Sequence, residues 1–532
     1  MSKTAIAEPE IRSALVTHRT NEKDSISVEA FALGLTACFF LLELVNILHH
    51  AMWRDEMQVY TLSQHSHSLI EFLRLKRYED IGHPDGWHLL FYPVSRFTSN
   101  PISLQLLHMT LATMTAYVIA RYSPFSRLQK TLMVFGYFLF FEYATISHDY
   151  ALGVFAVFAY CAVFRAGPRK NYLLLAALCA LMAESNVYAL MLGLSFALAI
   201  CFEAIRSRKP LGFFRPNLWQ ARLGAALFGI VTLASVFRMR APVDSGFVRP
   251  WHFPVDATGM GRTIAMMWKV FVPVPELTRQ FWNTNIVSGP LLSILSVAVL
   301  CVSILFFVRK PVILFTYCCG LGELLLFRHG RYAGFLRNDG HAFILFLACM
   351  WLAHQFPEDR LPFPKLQGVA EWFEGYRRPV FLTLLIVQVV VAVIASAIAF
   401  KVPFSEAKVT AEFLQSKNMD QMFIIGEPDA PLATLSGYLH RDIFYLRGNR
   451  MGSYIVWDGE RGMNPKQTAL QLGAQKAQEQ RADVLVILNR PAPALDARDH
   501  EIASFTGSIT GSEDYYIYLV SYEQQKELSE SR

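Results

Sequence analysis

Long apolar runs separated by short polar stretches set the pattern of the chain up to about residue 400. A helix needs about 20 mostly apolar residues to cross a hydrocarbon core, and the run at 28–48 meets that length. It follows a polar head, is too long for a signal-peptide core and has no small-residue cleavage site, so it reads as a retained anchor. Further runs lie at 102–120, 131–147, 150–165, 171–186, 187–205, 222–238, 286–308, 311–327, 340–356 and 379–400. With the first they predict about eleven transmembrane helices. Past Lys401 the period changes. "MFIIGEP", "IFYLRG", "SYIVW", "VLVILN" and "YYIYLV" predict strands, and 405–417 and 466–481 carry helical spacing. The expected fold is a polytopic α-helical membrane protein with a carboxy-terminal α/β domain. Its parts are a tail at 1–27, a transmembrane region at 28–400 and a soluble domain at 401–532, without internal repeats.

Composition agrees: 53% of the 532 residues are hydrophobic and only 17% are charged, against about a quarter charged in soluble proteins. All eight cysteines fall inside apolar runs and form no CxxC or Cys/His cluster, so neither disulfides nor cysteine metal sites are expected. The net charge of +6 points to no nucleic acid; its distribution is more informative. Short Lys/Arg-rich loops mark the cytoplasmic side. Arg121, Arg127 and Lys130 follow the second span, Arg165, Arg169 and Lys170 the fourth, Arg206, Arg208 and Lys209 the sixth, and Arg309 and Lys310 the eighth. Arg377 and Arg378 precede the last. The amino terminus is then cytoplasmic, and an odd number of spans places the carboxy-terminal domain outside.

Four pieces fall on the outer side. The loop 49–101 opens with "HHAMWRDEMQVY" and its adjacent acids Asp55 and Glu56. On a helix the two point about 100° apart, so one can face a cavity well. Asp55 is the expected catalytic base and Glu56 its support. Within the same loop "SLIEFLRLKRYED" has the spacing of a helix lying in the interface. The turn 142–149 carries Glu142 and Asp149; Asp149 either caps the next helix or faces the site. The piece 239–285 is studded with Arg238, Arg240, Arg249, Arg262, Lys269 and Arg279 and ends in "FWNTN". There Trp282, Asn283 and Asn285 suit a sugar ring or an interfacial aromatic belt. The fourth piece gathers Arg328, Arg331 and Arg337 beside His341. Arginines run against the charge rule on this side, and paired guanidinium donors fit phosphate, so these four are the candidate phosphate group. His83 and Glu142 join the candidate substrate-binding residues. Of the loop histidines, His65 and His67 would diverge on a helix, so no metal site is assigned; no cofactor is assigned either, with a divalent cation left open.

No Walker motif or Rossmann glycine pattern occurs, and no cytoplasmic loop could house a nucleotide-sugar domain. Any transferase here must take a donor already attached to lipid. On "WRDE" after the first span, "GHPDGWHLL" closing the first loop and "EYATISHDYAL" between the third and fourth, the chain resembles the GT-C class of polyprenyl-phosphate-sugar-dependent glycosyltransferases. Protein O-mannosyltransferases and the lipid A aminoarabinose transferase belong to that class. The chain has Asp85 where the class shows a second proline after His83-Pro84, and Asp149 where it shows arginine. The resemblance implies an inverting transfer: Asp55 deprotonates an acceptor hydroxyl, and the lipid phosphate leaves onto cations such as Arg337. It implies a polyprenyl-phosphate sugar donor, a glycan, lipid or protein acceptor, contact with membrane lipids, and residence in a bacterial inner membrane. Alternatives are a transporter or flippase for a lipid-linked glycan and an O-antigen-ligase-type enzyme.

Overall fold

The computed structural model describes residues 8–208, 210–247, 250–463, 465, 467–493 and 499–530. Lys209 and Arg249 of the charge pattern lie outside these, as do the first seven residues of the expected tail and position 466 of an expected helix. Every expected apolar run is at least partly helical, but the expected span count is not reached. Among the described residues six helices are long and apolar enough to cross a membrane: Ile26–His49, Ile102–Tyr122, Val187–Arg206, Gly212–Arg238, Pro311–Gly330 and Pro364–Ala399. Tyr150–Val163, Tyr172–Ser185 and Gly289–Leu305 are apolar but shorter. The run 131–147 breaks into Arg127–Val134 and a π-helical stretch, Phe138–Thr145, and the run near 340–356 is the helix His341–Leu352. Every residue of these last two stretches is buried. They are apolar because they are surrounded by protein, and irregular backbone at membrane depth is tolerated where protein covers it. The first helix runs from Glu8 to His49, so most of the expected tail continues the first span.

The carboxy-terminal domain is a six-stranded sheet of β1 (Phe423–Glu427), β2 (Ile443–Tyr445), β3 (Arg450–Gly452), β4 (Val484–Leu488), β5 (Asp499–Phe505) and β6 (Tyr515–Val520). The order is β3-β2-β1-β4-β6-β5, with β1 parallel to β2 and β4 and the other pairs antiparallel. Side chains alternate as a pleat requires: Ile424, Leu485 and Ile517 join one core, Ile425, Val486 and Tyr518 the other. "SYIVW" is not a strand; β3 precedes it. The helix Asp429–Leu439 was not expected. Nearly all its residues are buried, so it shows no amphipathic period, and Pro431 and Gly437 read as breakers.

That helix docks the domain onto the first loop. A Cβ on Gly437 would sit 2.5 Å from Met57 Cγ and Sδ, so the approach to the helix Arg54–His65 needs glycine. Tyr438 Oη accepts the Met52 N–H at 2.8 Å, and Trp457 N–H donates to the Tyr78 carbonyl at 2.8 Å. Tyr78 Oη donates to Asp244 at 3.1 Å, joining the first loop to the 239–285 piece. The first loop and the 239–285 piece thus both meet the domain at one end of the bundle. Loops of the basic set close the bundle elsewhere through Arg309–Glu358 at 2.8 Å, Lys170–Glu203 at 2.9 Å and the Arg206–Asp359 pair. Gly437→Leu is expected to lower stability by about 1–3 kcal/mol through overpacking and to speed proteolytic release of the domain; unchanged melting and cleavage would show that the docking tolerates bulk.

Candidate functional site

Two adjacent carboxylates face different ways because they open a helix. Glu56, in the first turn of Arg54–His65, is fully buried. It accepts the Trp53 N–H at 3.1 Å and the Ser147 N–H at 2.5 Å, and His50 Nε2 lies 2.8 Å away. One carboxylate thereby caps its own helix and fastens the turn before Tyr150. Glu56 is a brace.

Asp55 points into a half-open space, its side chain 21% exposed. Arg337 Nη2 donates to its Oδ2 at 2.7 Å and Arg54 Nε to its Oδ1 at 3.2 Å. Burial would raise the pKa of this carboxyl, but the charges of Arg337, Arg54 and His148 outweigh it and hold the group below its ordinary value. Asp55 is therefore ionised at neutral pH.

Arg337 comes from the short turn Leu336–Asp339, steadied by Asn283 Oδ1, which accepts the Leu336 N–H at 3.0 Å. Its guanidinium carbon lies 4.9 Å from the Trp53 ring centre and 5.4 Å from that of Trp282, in cation–π range. The two indoles meet edge-on at 5.0 Å. Trp282 is held in turn by Glu142, which accepts its Nε1–H at 3.1 Å and the Tyr137 hydroxyl at 2.7 Å. Arg337 Nε and Nη1 are buried and have no hydrogen-bond partner among the described residues. Buried donors left unpaired cost free energy, which is the condition of a site built to receive an acceptor-rich ligand.

The other candidates divide. Asp149 makes no side-chain cap on the helix Tyr150–Val163. Its carboxylate meets His83 Nδ1 at 2.8 Å and also His148 Nδ1. Burial opposes its charge, yet His148 and His83 keep it well below the usual carboxylate range. Burial likewise opposes charge on His83, but Asp80 and Asp149 lift it to about 9. Arg328 is taken by Asp339 at 2.5 Å, and Arg331 caps the helix Pro311–Gly330 without joining the Arg337 contacts. His341 stands apart from Arg337, caged by Tyr143, Tyr150 and Tyr188, with Nδ1 3.0 Å from the Asn338 carbonyl. The Asn285 amide is spent on the Val272 carbonyl and the Val287 N–H, at 2.9 and 3.0 Å. Sequence reasoning singled out neither Trp53 as a wall nor Glu513, which arrives from the carboxy-terminal domain. Fully buried Glu513 accepts the Arg54 N–H at 2.7 Å. No local pattern announces that contact.

Burial raises the Glu513 carboxyl to about 8, with Ser405 and Arg54 pulling the other way. The folded value lies above the ordinary 4.5, so stability from this group is full below about pH 4.5 and is lost as pH rises toward 8. Melting followed from pH 5 to 8 should fall by up to about 1.4 kcal/mol per pH unit in the unaltered chain, and Glu513→Gln should flatten the slope; equal slopes would remove Glu513 from the titration. Glu56→Gln, which weakens the brace, is expected to destabilise by roughly 1–3 kcal/mol, and Asp55→Asn by less; the reverse order in thermal melts would exchange their roles.

No protein-family model matches the chain, and no curated protein sequence matches it. Two of the solved structures that the chain matches are forms of one protein. The crystal structure of ArnT from Cupriavidus metallidurans bound to undecaprenyl phosphate shares 11% identity at a TM-score of 0.47, over 92% of this chain and 98% of that one. The same protein in the apo state shares 11% identity at a TM-score of 0.49, over 92% and 99%.

Proposed function

We propose that this integral membrane protein is an inverting glycosyltransferase that takes a sugar from a polyprenyl-phosphate donor and passes it to a hydroxyl at the outer membrane face. The observation that carries the reading is the Arg337 guanidinium: one nitrogen on Asp55, two more buried and unpaired, and two touching indoles beside it. A phosphate accepting from Nε or Nη1 supplies a partner that is missing. Charge-assisted bonds of this kind are the strong ones, and a planar fork fits a phosphate's oxygens.

The acceptor oxygen attacks the anomeric carbon as its proton passes to Asp55, and the glycosidic electrons leave with the lipid phosphate onto Arg337. Asp55 is a weak base while paired, because the guanidinium stabilises its charge. As a phosphate draws on the same guanidinium, that hold loosens and the proton affinity of Asp55 rises. Donor arrival and base activation are thereby linked. The acceptor, whether glycan, lipid or protein, comes from water beneath the docked domain.

Purified protein with a polyprenyl-phosphate sugar and a hydroxyl acceptor is expected to turn over. Asp55→Asn should cut turnover by about two to four powers of ten with donor binding nearly intact. Arg337→Ala should weaken donor binding by about ten- to a hundredfold, the loss of one charge-assisted hydrogen bond of roughly 1.5–3 kcal/mol. Full activity in both variants would sink the assignment; unchanged donor affinity in Arg337→Ala alone would move the phosphate to another cluster. The orientation is tested apart: a reporter active only outside the cytoplasm, fused after Arg532, should be active, and a silent one beside an active cytoplasmic reporter would invert the topology.

A further inference from the structure

We propose that Glu79, Asp80 and His88 bind one divalent transition-metal ion, of the zinc type, where the first-loop helix ends. The three residues come from a short stretch folded back on itself. Glu79 closes the helix Leu69–Glu79, Asp80 is its cap, and His88 lies in the helix Gly86–Phe91. One ligand atom from each can be chosen so that all three lie within 4.8 Å of one another. His88 Nε2 is 3.7 Å from Glu79 Oε2 and 3.7 Å from Asp80 Oδ2. That is too long for a hydrogen bond. It is within a few tenths of the separation of about 3.3–3.6 Å expected between ligands on a tetrahedral zinc.

The second observation is the state of the side chains. Glu79 is 2% exposed and His88 1%. Both carboxylate oxygens of Glu79 and both ring nitrogens of His88 are buried without a hydrogen-bond partner among the described residues. Buried polar groups are nearly always paired, so four orphaned atoms in one place call for a partner. The nearby cation does not supply it: Lys76 Nζ is turned to Asp85 at 3.2 Å and to the His83 carbonyl. Asp85 also has Arg238 at 3.4 Å. Two neighbouring acids are thus left facing an imidazole, an arrangement that a cation relieves and that the negative end of the helix Leu69–Glu79 favours. An imidazole with carboxylates selects zinc and its neighbours over magnesium or calcium.

An ion there would lock the end of one helix to the start of the next. His83 rides on the loop between them, with Nε2 3.8 Å from Asp80 and Nδ1 on Asp149. The ion would therefore position the His83–Asp149–His148 chain. The inference does not rest on sugar transfer.

The test uses the full chain in detergent. Metal-depleted protein titrated with cobalt(II) should bind about one equivalent with a visible band of nitrogen and oxygen ligation, and zinc should displace it. Zinc should also raise the melting temperature. Glu79→Gln, Asp80→Asn and His88→Gln should each weaken zinc binding at least about tenfold in competition with a chelating dye. The cobalt titration needs no variant, so failure of a variant to fold leaves the test standing. No cobalt band and no thermal shift in the unaltered protein would overturn the site and leave the gap to buried water; undiminished zinc binding in all three variants would overturn the ligand assignment.

Discussion

A carboxylate with no access to water must be met by donors, and Glu56 is where the chain satisfies that demand. A bare carboxylate in a dry interior costs several kcal/mol or gives up its charge. Glu56 collects the Trp53 N–H, the Ser147 N–H and the His50 ring. Those groups belong to the residues just after the first span, the start of the next helix, and the turn before Tyr150. Satisfying one side chain fixes three pieces of backbone. The direction of Asp55 follows, because a helix turns about 100° per residue. Asp55 can only point toward the space where Arg337 stands.

The carboxy-terminal domain closes the same logic from above. Glu513 reaches the Arg54 backbone, and Tyr438 reaches that of Met52, one residue before Trp53. The domain thus holds the strip of chain that bears the acid pair and one indole wall. Below, Glu142 orients the other indole through Nε1. The residues that contact Arg337 are each secured by a group that does not, which is how a site keeps its geometry when a ligand is absent.

Much of this was legible in the sequence and some was not, for identifiable reasons. The divergent directions of the acid pair could be read from helical geometry alone, and Arg337 stood out because the charge pattern disfavours arginine there. The span number could not be read, because a stretch such as His341–Leu352, buried on every face, has the composition of a lipid-facing one. Hydropathy reports an apolar environment and not whether lipid or protein provides it. Asp149 had two readings from its place before a helix; the choice was made by His83, 66 residues away. Glu513, 459 residues from Arg54, lay beyond any local pattern. Asn283 and Asn285 have the chemistry of sugar binders, but the Asn285 amide is bound to Val272 and Val287, and Asn283 Oδ1 accepts the Leu336 N–H.

In the proposed reaction, the pairing of Asp55 with Arg337 sets a base against a phosphate clamp, and the two neutralise each other at rest. Each is a charge in a half-dry space, and each would be costly to hold there alone. Paired, they solvate one another, and the indoles of Trp53 and Trp282 add a weaker attraction for the cation. The guanidinium also keeps unpaired nitrogens, so in the proposed reaction a phosphate would bind without first expelling the carboxylate. Once it binds, one cation serves two anions, and the carboxylate, held less firmly, has the stronger pull on a proton. A site with a free carboxylate would have a better base and nowhere stable to keep it. In the proposed reaction, sharing one arginine between base and leaving group would make the base strong only when there is a leaving group to balance.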